Sequence, residues 1–262
     1  MKKLLLLLAA AGVCQLAAAQ PSSGRIQYEV TQKVDASRMR VVMNGQEVRP
    51  GSPDFPADIP DVRTFGMTLS FAGGYAKEER ENNAVRTIVT ADGAGGAASA
   101  PQTTSLGRPF DEAVYTDLTK RTFSTLLTVK KDDVATTYRA DEPFPQPSGW
   151  QLSEQTKKIA GYTCRKATVP FRKETYTVWY TTDLPFTYSP IKELVPEKGV
   201  VLAVEGSREQ FRASKVDAKP VAESEVRPSA QARQVSVAEL QEVREKARAD
   251  FRQRMLDNLG NR

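Results

Sequence analysis

The run Phe65-Gly66-Met67-Thr68-Leu69-Ser70-Phe71 sets four large apolar side chains at alternate positions, with only small or polar residues between them. Successive side chains of a strand point to opposite faces, so this two-residue period is what a strand with one buried face requires. The same period recurs at 24–34, where Ile26, Tyr28 and Val30 alternate with polar neighbours. Further strand-like runs lie at 75–80, 85–90, 113–118 and 122–129, and in the last of these Phe123, Thr125, Leu127 and Val129 share a face. After Trp150-Gln151-Leu152, the runs 157–169, 174–181, 199–205 and 210–216 are dominated by Thr, Tyr, Val and Trp, which suit a pleated, half-buried surface. No long helical period interrupts them. The simplest architecture is mainly β, with short antiparallel strands joined by turns.

Punctuation between the runs fits that plan. Residues 50–60 carry four prolines, which cannot donate to a sheet ladder, and are predicted to form a loop; 141–149, with Pro143, Pro145 and Pro147, form a second. Gly73-Gly74 marks a turn. Residues 92–105 are Gly, Ala, Ser and Thr with hardly a large side chain, too little apolar surface to offset ordering entropy, and are expected to be a mobile excursion.

The period then changes. Residues 218–235 are polar and contain two prolines, as a linker would. From Ser236 the spacing becomes three or four: Val237, Leu240, Val243, Ala247, Phe251, Met255 and Leu259. Ser236 and Glu239 have capping-box spacing, and Gly260 is a suitable terminator. This predicts an amphipathic helix over 236–259, about 35 Å long at 1.5 Å per residue. Its mixed Arg and Glu face argues against a basic membrane-surface helix. It either packs on its own domain or docks a partner.

Residues 1–19 have the three parts of an export signal: Lys2 and Lys3, an apolar core from residue 4 to 13, and Ala17-Ala18-Ala19 before Gln20. An apolar core of about ten residues is too short to span a bilayer, for which roughly 20 are needed, and nothing later acts as a transmembrane span. Acylation at Cys14 is the alternative, but Val13 is the wrong residue to precede a lipidated cysteine, so cleavage after Ala19 is preferred. The domain order is then signal 1–19, β-rich domain 20–217, linker 218–235 and helix 236–259, in a periplasmic or secreted protein.

Cleavage would remove one of two cysteines, leaving Cys164 without an intramolecular disulfide partner. The remaining 243 residues (262 minus 19) are enough for a core held by burial alone. It would also lower the formal charge from +5 to +3, with the charges interspersed, which gives no footprint for nucleic acid.

The chain contains no histidine. That excludes His-ligated metal, Ser-His-Asp and Cys-His catalysis. Cys164 lacks a base to activate it and fits better as a small buried hydrophobe. No nucleophile elbow, phosphate loop, dinucleotide fingerprint or calcium loop is present, and no cofactor is implied. The aromatic group Trp150, Tyr162, Tyr176, Trp179 and Tyr180 either lines a ligand cavity or fills a β core.

The segments Thr156-Lys157-Lys158-Ile159-Ala160-Gly161-Tyr162-Thr163-Cys164-Arg165-Lys166-Ala167 and Tyr176-Thr177-Val178-Trp179-Tyr180-Thr181, followed by Asp183-Leu184-Pro185, resemble the GLPGLI family of exported Bacteroidota proteins. The matching positions are Gly161, Cys164, Lys166, Ala167 and Pro185. Pro196 and Gly199 stand in a degenerate form of the signature, Leu194-Val195-Pro196-Glu197-Lys198-Gly199-Val200. The resemblance implies an open antiparallel sheet or half-barrel, similar to lipoprotein carriers, and supplies no catalytic residues.

Together these readings predict a non-enzymatic envelope protein that binds an apolar small molecule or chaperones a lipidated client. The alternative is an assembly partner of an outer-membrane transporter, docking through the C-terminal helix. A histidine-independent hydrolase is the third reading.

Overall fold

The computed structural model describes residues 21–34, 41–43, 46–48, 51–53, 61–81, 108–131 and 134–260. The export segment 1–19, the run 85–90, the excursion 92–105 and most of the loop 50–60 lie outside the described residues.

In chain order the elements are β1 (Ser23–Lys33), β2 (Val41–Met43), β3 (Gln46–Val48), β4 (Val62–Ala72), β5 (Tyr75–Arg80), β6 (Asp111–Asp117), β7 (Thr122–Lys131) and β8 (Val134–Pro143). They continue with β9 (Gln151–Ile159), β10 (Tyr162–Phe171), β11 (Glu174–Thr181), β12 (Val200–Glu205), β13 (Glu209–Asp217), α1 (Glu223–Val226), β14 (Arg233–Gln234) and α2 (Val237–Gly260). Twelve strands form one open sheet in the order β14-β8-β7-β6-β5-β4-β1-β13-β12-β11-β10-β9. Neighbours are antiparallel except β14, which runs parallel to β8. The mainly β expectation holds: an open antiparallel sheet with a C-terminal helix.

Two five-stranded meanders, β4–β8 and β9–β13, meet on β1. Ile26 and Tyr28 of β1 pair with Leu69 and Met67 of β4, and with Val216 and Ala213 of β13. Ile26, Tyr28 and Val30 are buried, as are Met67, Leu69, Phe71, Phe211 and Ala213. Each fully buried apolar side chain stabilises the fold by about 1.5–3 kcal/mol, so the predicted alternation on these strands is what fixes their register.

The run 157–169 is not one strand. Ala160 (φ 48°) and Gly161 (φ 90°) form a tight turn between β9 and β10, with Ile159 opposite Tyr162. Two successive positive φ values are what a two-residue hairpin turn matched to strand twist requires. A second turn of this kind is built at Arg172 (φ 49°) and Lys173 (φ 67°), between β10 and β11. The loop read at 141–149 starts later than expected, because β8 runs to Pro143 and pairs along its whole length with β7.

The connection from β11 to β12, residues 182–199, is the feature that positions the site. It carries buried Leu184, Tyr188, Ile191, Leu194 and Val195, with a single 3-10 turn at Lys192–Leu194. Tyr188 is tied to β12: its N–H donates to the Gly199 carbonyl at 3.2 Å and its carbonyl accepts from Val201 N–H at 2.9 Å. The segment then reaches the other meander. Val195 packs with Phe123 and Phe144, the Arg121 guanidinium donates to the Glu197 carbonyl at 3.1 Å, and Arg80 reaches the Pro190 carbonyl at 3.5 Å. This inner segment bridges the two meanders across one face of the sheet.

Helix α2 starts as its sequence predicts. Glu239 N–H donates to the Ser236 hydroxyl at 3.1 Å, and Ser236 N–H donates to the Glu239 carboxylate at 2.7 Å. These bonds also hold the Glu239 carboxyl below its usual range, the Ser236 backbone N–H most strongly. Leu240 is buried against Leu127 and Ala140, and Arg244 grips Glu112 of β6. The helix therefore packs on its own sheet. Among the described residues no helix is long and apolar enough to cross a membrane. The segment 218–235 carries α1 and β14; Val226 of α1 is buried with Val221 and Ala72, and Arg25 of β1 pairs with Glu225 at 3.0 Å.

Candidate functional site

Between the inner segment and α2, on the same sheet face, lies a cleft of about 780 Å³. Strands β5–β8 supply its floor, Pro190-Ile191-Lys192 one wall, and Val237, Leu240 and Arg244 of α2 the other. Strands β5 and β6 pair from Tyr75↔Asp117 to Glu78↔Val114 and then part, and Arg80 and Glu112 line the cleft beyond the last pair.

Among the described residues six basic side chains and six carboxylates line this cleft, and five of these cations pair with acids. Lys192 on the 3-10 turn pairs with Glu142 of β8 and donates to the Thr125 hydroxyl of β7 at 3.3 Å. Arg244 of α2 donates from Nε and Nη2 to the two carboxylate oxygens of Glu112, 3.1 Å each. Arg80 reaches Glu78 at 3.4 Å, Arg172 meets Glu209 at 2.8 Å, and Lys77 meets Glu79 at 2.7 Å. The result is a surface dense in hydrogen-bond donors and acceptors, with apolar patches at Phe110 and Val237.

Glu78 is the unusual member. It occupies an inward position of β5, opposite Leu69 of β4, and is only 6% exposed. Burial raises its carboxyl above the ordinary range, against the opposing pull of Arg80. The buried Tyr188 hydroxyl lies beside it without a hydrogen bond of good geometry, and burial lifts that phenol well above its normal value. An acid whose folded-state pKa is raised gives stability that is complete at low pH and is lost as pH rises through the raised value. Glu78→Gln is therefore expected to gain melting temperature over the parent as pH rises above 4.5, the ordinary value, and to show little gain below it. Paired melts across that range check this; a constant offset would contradict a buried acid at this position.

The five sequence-selected aromatics lie elsewhere. Tyr176 and Trp179 are buried in the main core, and Trp150, Tyr162 and Tyr180 pack against it; none lines the cleft. Lys157 sits 4.0 Å over the Trp179 ring and pairs with Glu205, while Trp150 meets Tyr180 edge-on at 6.1 Å. Cys164 is fully buried, and burial pushes its thiol up to about 11, the opposite of what a nucleophile needs. Lys166 donates to Gln155, Ala167 and Pro196 are buried, and Pro185 is exposed. Glu78, Arg80, Glu112, Glu142, Lys192 and Arg244 were not singled out from sequence. The available signal was a carboxylate at an inward position in Ala76-x-Glu78.

The family model "N-glycanase peptide, N-terminal domain" matches residues 76–241, which run from within β5 to the start of α2. The chain belongs to the N-glycanase N-terminal domain family. Two solved structures of PNGF-II, in space groups P21 and C2, share the fold of this N-glycanase-type domain. Their TM-scores are 0.52 and 0.50 at 13% and 14% identity. They cover 88% and 85% of this chain and 34% and 33% of PNGF-II, so the chain spans about a third of that protein's length. No curated protein matches it.

The family match overturns the GLPGLI resemblance. Several of the residues that carried the resemblance lie in the β9–β10 hairpin. Ile159 and Tyr162 close a two-residue turn, Gly161 supplies its second positive φ, and Lys166 faces Trp179 across the β10–β11 ladder. A tight hairpin turn favours glycine at such a position, so the turn itself accounts for Gly161. The expectation of a non-enzymatic carrier or chaperone, with its transporter-docking alternative, falls on the same finding: the family is a domain of an N-glycanase. The cleft agrees with that correction, because its charged lining does not suit an apolar ligand.

Proposed function

We propose that this chain serves N-glycan removal, with its cleft holding the carbohydrate of a glycosylated polypeptide. The observation that carries the reading is the lining. A cleft of about 780 Å³ falls within the usual size range of ligand sites, and its matched Lys/Arg–Glu pairs offer alternating donors and acceptors. A sugar hydroxyl both donates and accepts, so it can bridge such pairs without demanding a net charge. Phe110 and the exposed Val237 offer apolar surface for the C–H faces of sugar rings. Periplasmic or secreted placement, through residues 1–19, belongs to the same proposal.

Titration of the full chain with an N-glycosylated peptide, and with the same peptide after glycan removal, tests this. Binding that depends on the glycan is expected, and Lys192→Met should weaken it about tenfold, the loss of one charged hydrogen-bonding group. Equal binding of the two peptides would sink the reading.

A further inference from the structure

We infer that the cleft selects neutral glycans over glycans bearing terminal carboxylate or sulfate groups, an inference that rests on the glycan-holding reading above. The argument comes from where the cations are spent. Both carboxylate oxygens of Glu112 already receive Arg244, whose side chain is only 18% exposed. Lys192 is committed to Glu142 and to the Thr125 hydroxyl. Arg172 is committed to Glu209, whose side chain is 15% exposed.

An acidic sugar that takes Lys77, Arg80, Arg172, Lys192 or Arg244 must displace a carboxylate. The displaced carboxylate stays in the cleft, partly buried and without its partner, so the exchange loses as much as it gains. Glu193, beside Lys192 on the same wall, adds a further carboxylate to repel an anionic ligand. A neutral sugar meets none of this. Its hydroxyls use the lone pairs left on the paired carboxylates and the remaining N–H groups of the cations, and every ion pair stays intact. Neutrality is thus enforced by pairing, and unpairing either wall should relax it.

The test uses two labelled biantennary N-glycans that differ only in terminal sialic acid, titrated onto the full chain at about 50 mM salt, where screening is weak. The neutral glycan is expected to bind about tenfold tighter, which corresponds to about 1.4 kcal/mol. Glu142→Gln and Glu112→Gln each release one cation, on opposite walls, and each should narrow the preference by about threefold or more. Equal or tighter binding of the sialylated glycan overturns the selection while leaving the glycan-holding reading in place. An unchanged preference in both variants, each verified as folded by circular dichroism, also overturns it. Binding of neither glycan overturns the functional reading and this inference with it.

Discussion

Replacing Gly199 with alanine is expected to cost about 2–4 kcal/mol, the range for a side chain forced into a glycine-only backbone conformation and a backbone clash. Gly199 has φ 101°, outside the regions that L side chains adopt readily. A Cβ there would stand 2.5 Å from the Thr181 carbonyl oxygen and 3.2 Å from its carbon. That carbonyl belongs to the end of β11, so the clash has no flexible side chain to move aside. Gly199 also closes the inner segment, since its own carbonyl accepts the Tyr188 N–H. Strain at this point pushes on the wall that holds Lys192. The variant should therefore lose melting temperature and glycan binding together. A variant as stable as the parent would show that the segment re-anchors without its glycine.

Much of the sheet is legible in the sequence because each strand with one buried face writes an alternating pattern. β1, β4 and β13 are of this kind, β12 reads instead as a continuous apolar run buried throughout but for Glu205, and the cap of α2 is equally plain. β8 is not, because of its ten residues only Ala140 is buried and its inward face meets a helix and a polar cleft. The cleft is harder still. Its chemistry comes from Glu, Lys and Arg, the side chains most common on any surface, contributed by strands, a connection and a helix far apart in the chain. Nothing in the period of 182–199 says that it crosses from one meander to the other. The crossing depends on Val195 meeting Phe123 and Phe144, and on Arg80 and Arg121 capping carbonyls of the segment. The hairpin β9–β10 erred in the opposite direction. Its turn calls for a glycine whatever the family, and the resemblance drawn there gives way to the match over residues 76–241.

Tyr188 offers the sharpest separation of packing from polarity in the same segment. It is fully buried, and its backbone is pinned on both sides to the Gly199–Val201 stretch. Tyr188→Ala empties a ring-sized space beneath the inner segment and is expected to destabilise by about 3–5 kcal/mol. Tyr188→Phe keeps the ring and removes only the buried hydroxyl, which has no hydrogen bond of good geometry. Deleting an unsatisfied polar group returns part of its desolvation cost, so the phenylalanine variant should stay within about 1 kcal/mol of the parent. Denaturant melts of both variants decide between two roles for the residue. If Tyr188→Phe costs nearly as much as Tyr188→Ala, the hydroxyl holds Glu78 directly and the polar contact is the anchor. If the two separate as expected, the segment is anchored by its apolar bulk, and the hydroxyl is not what holds it.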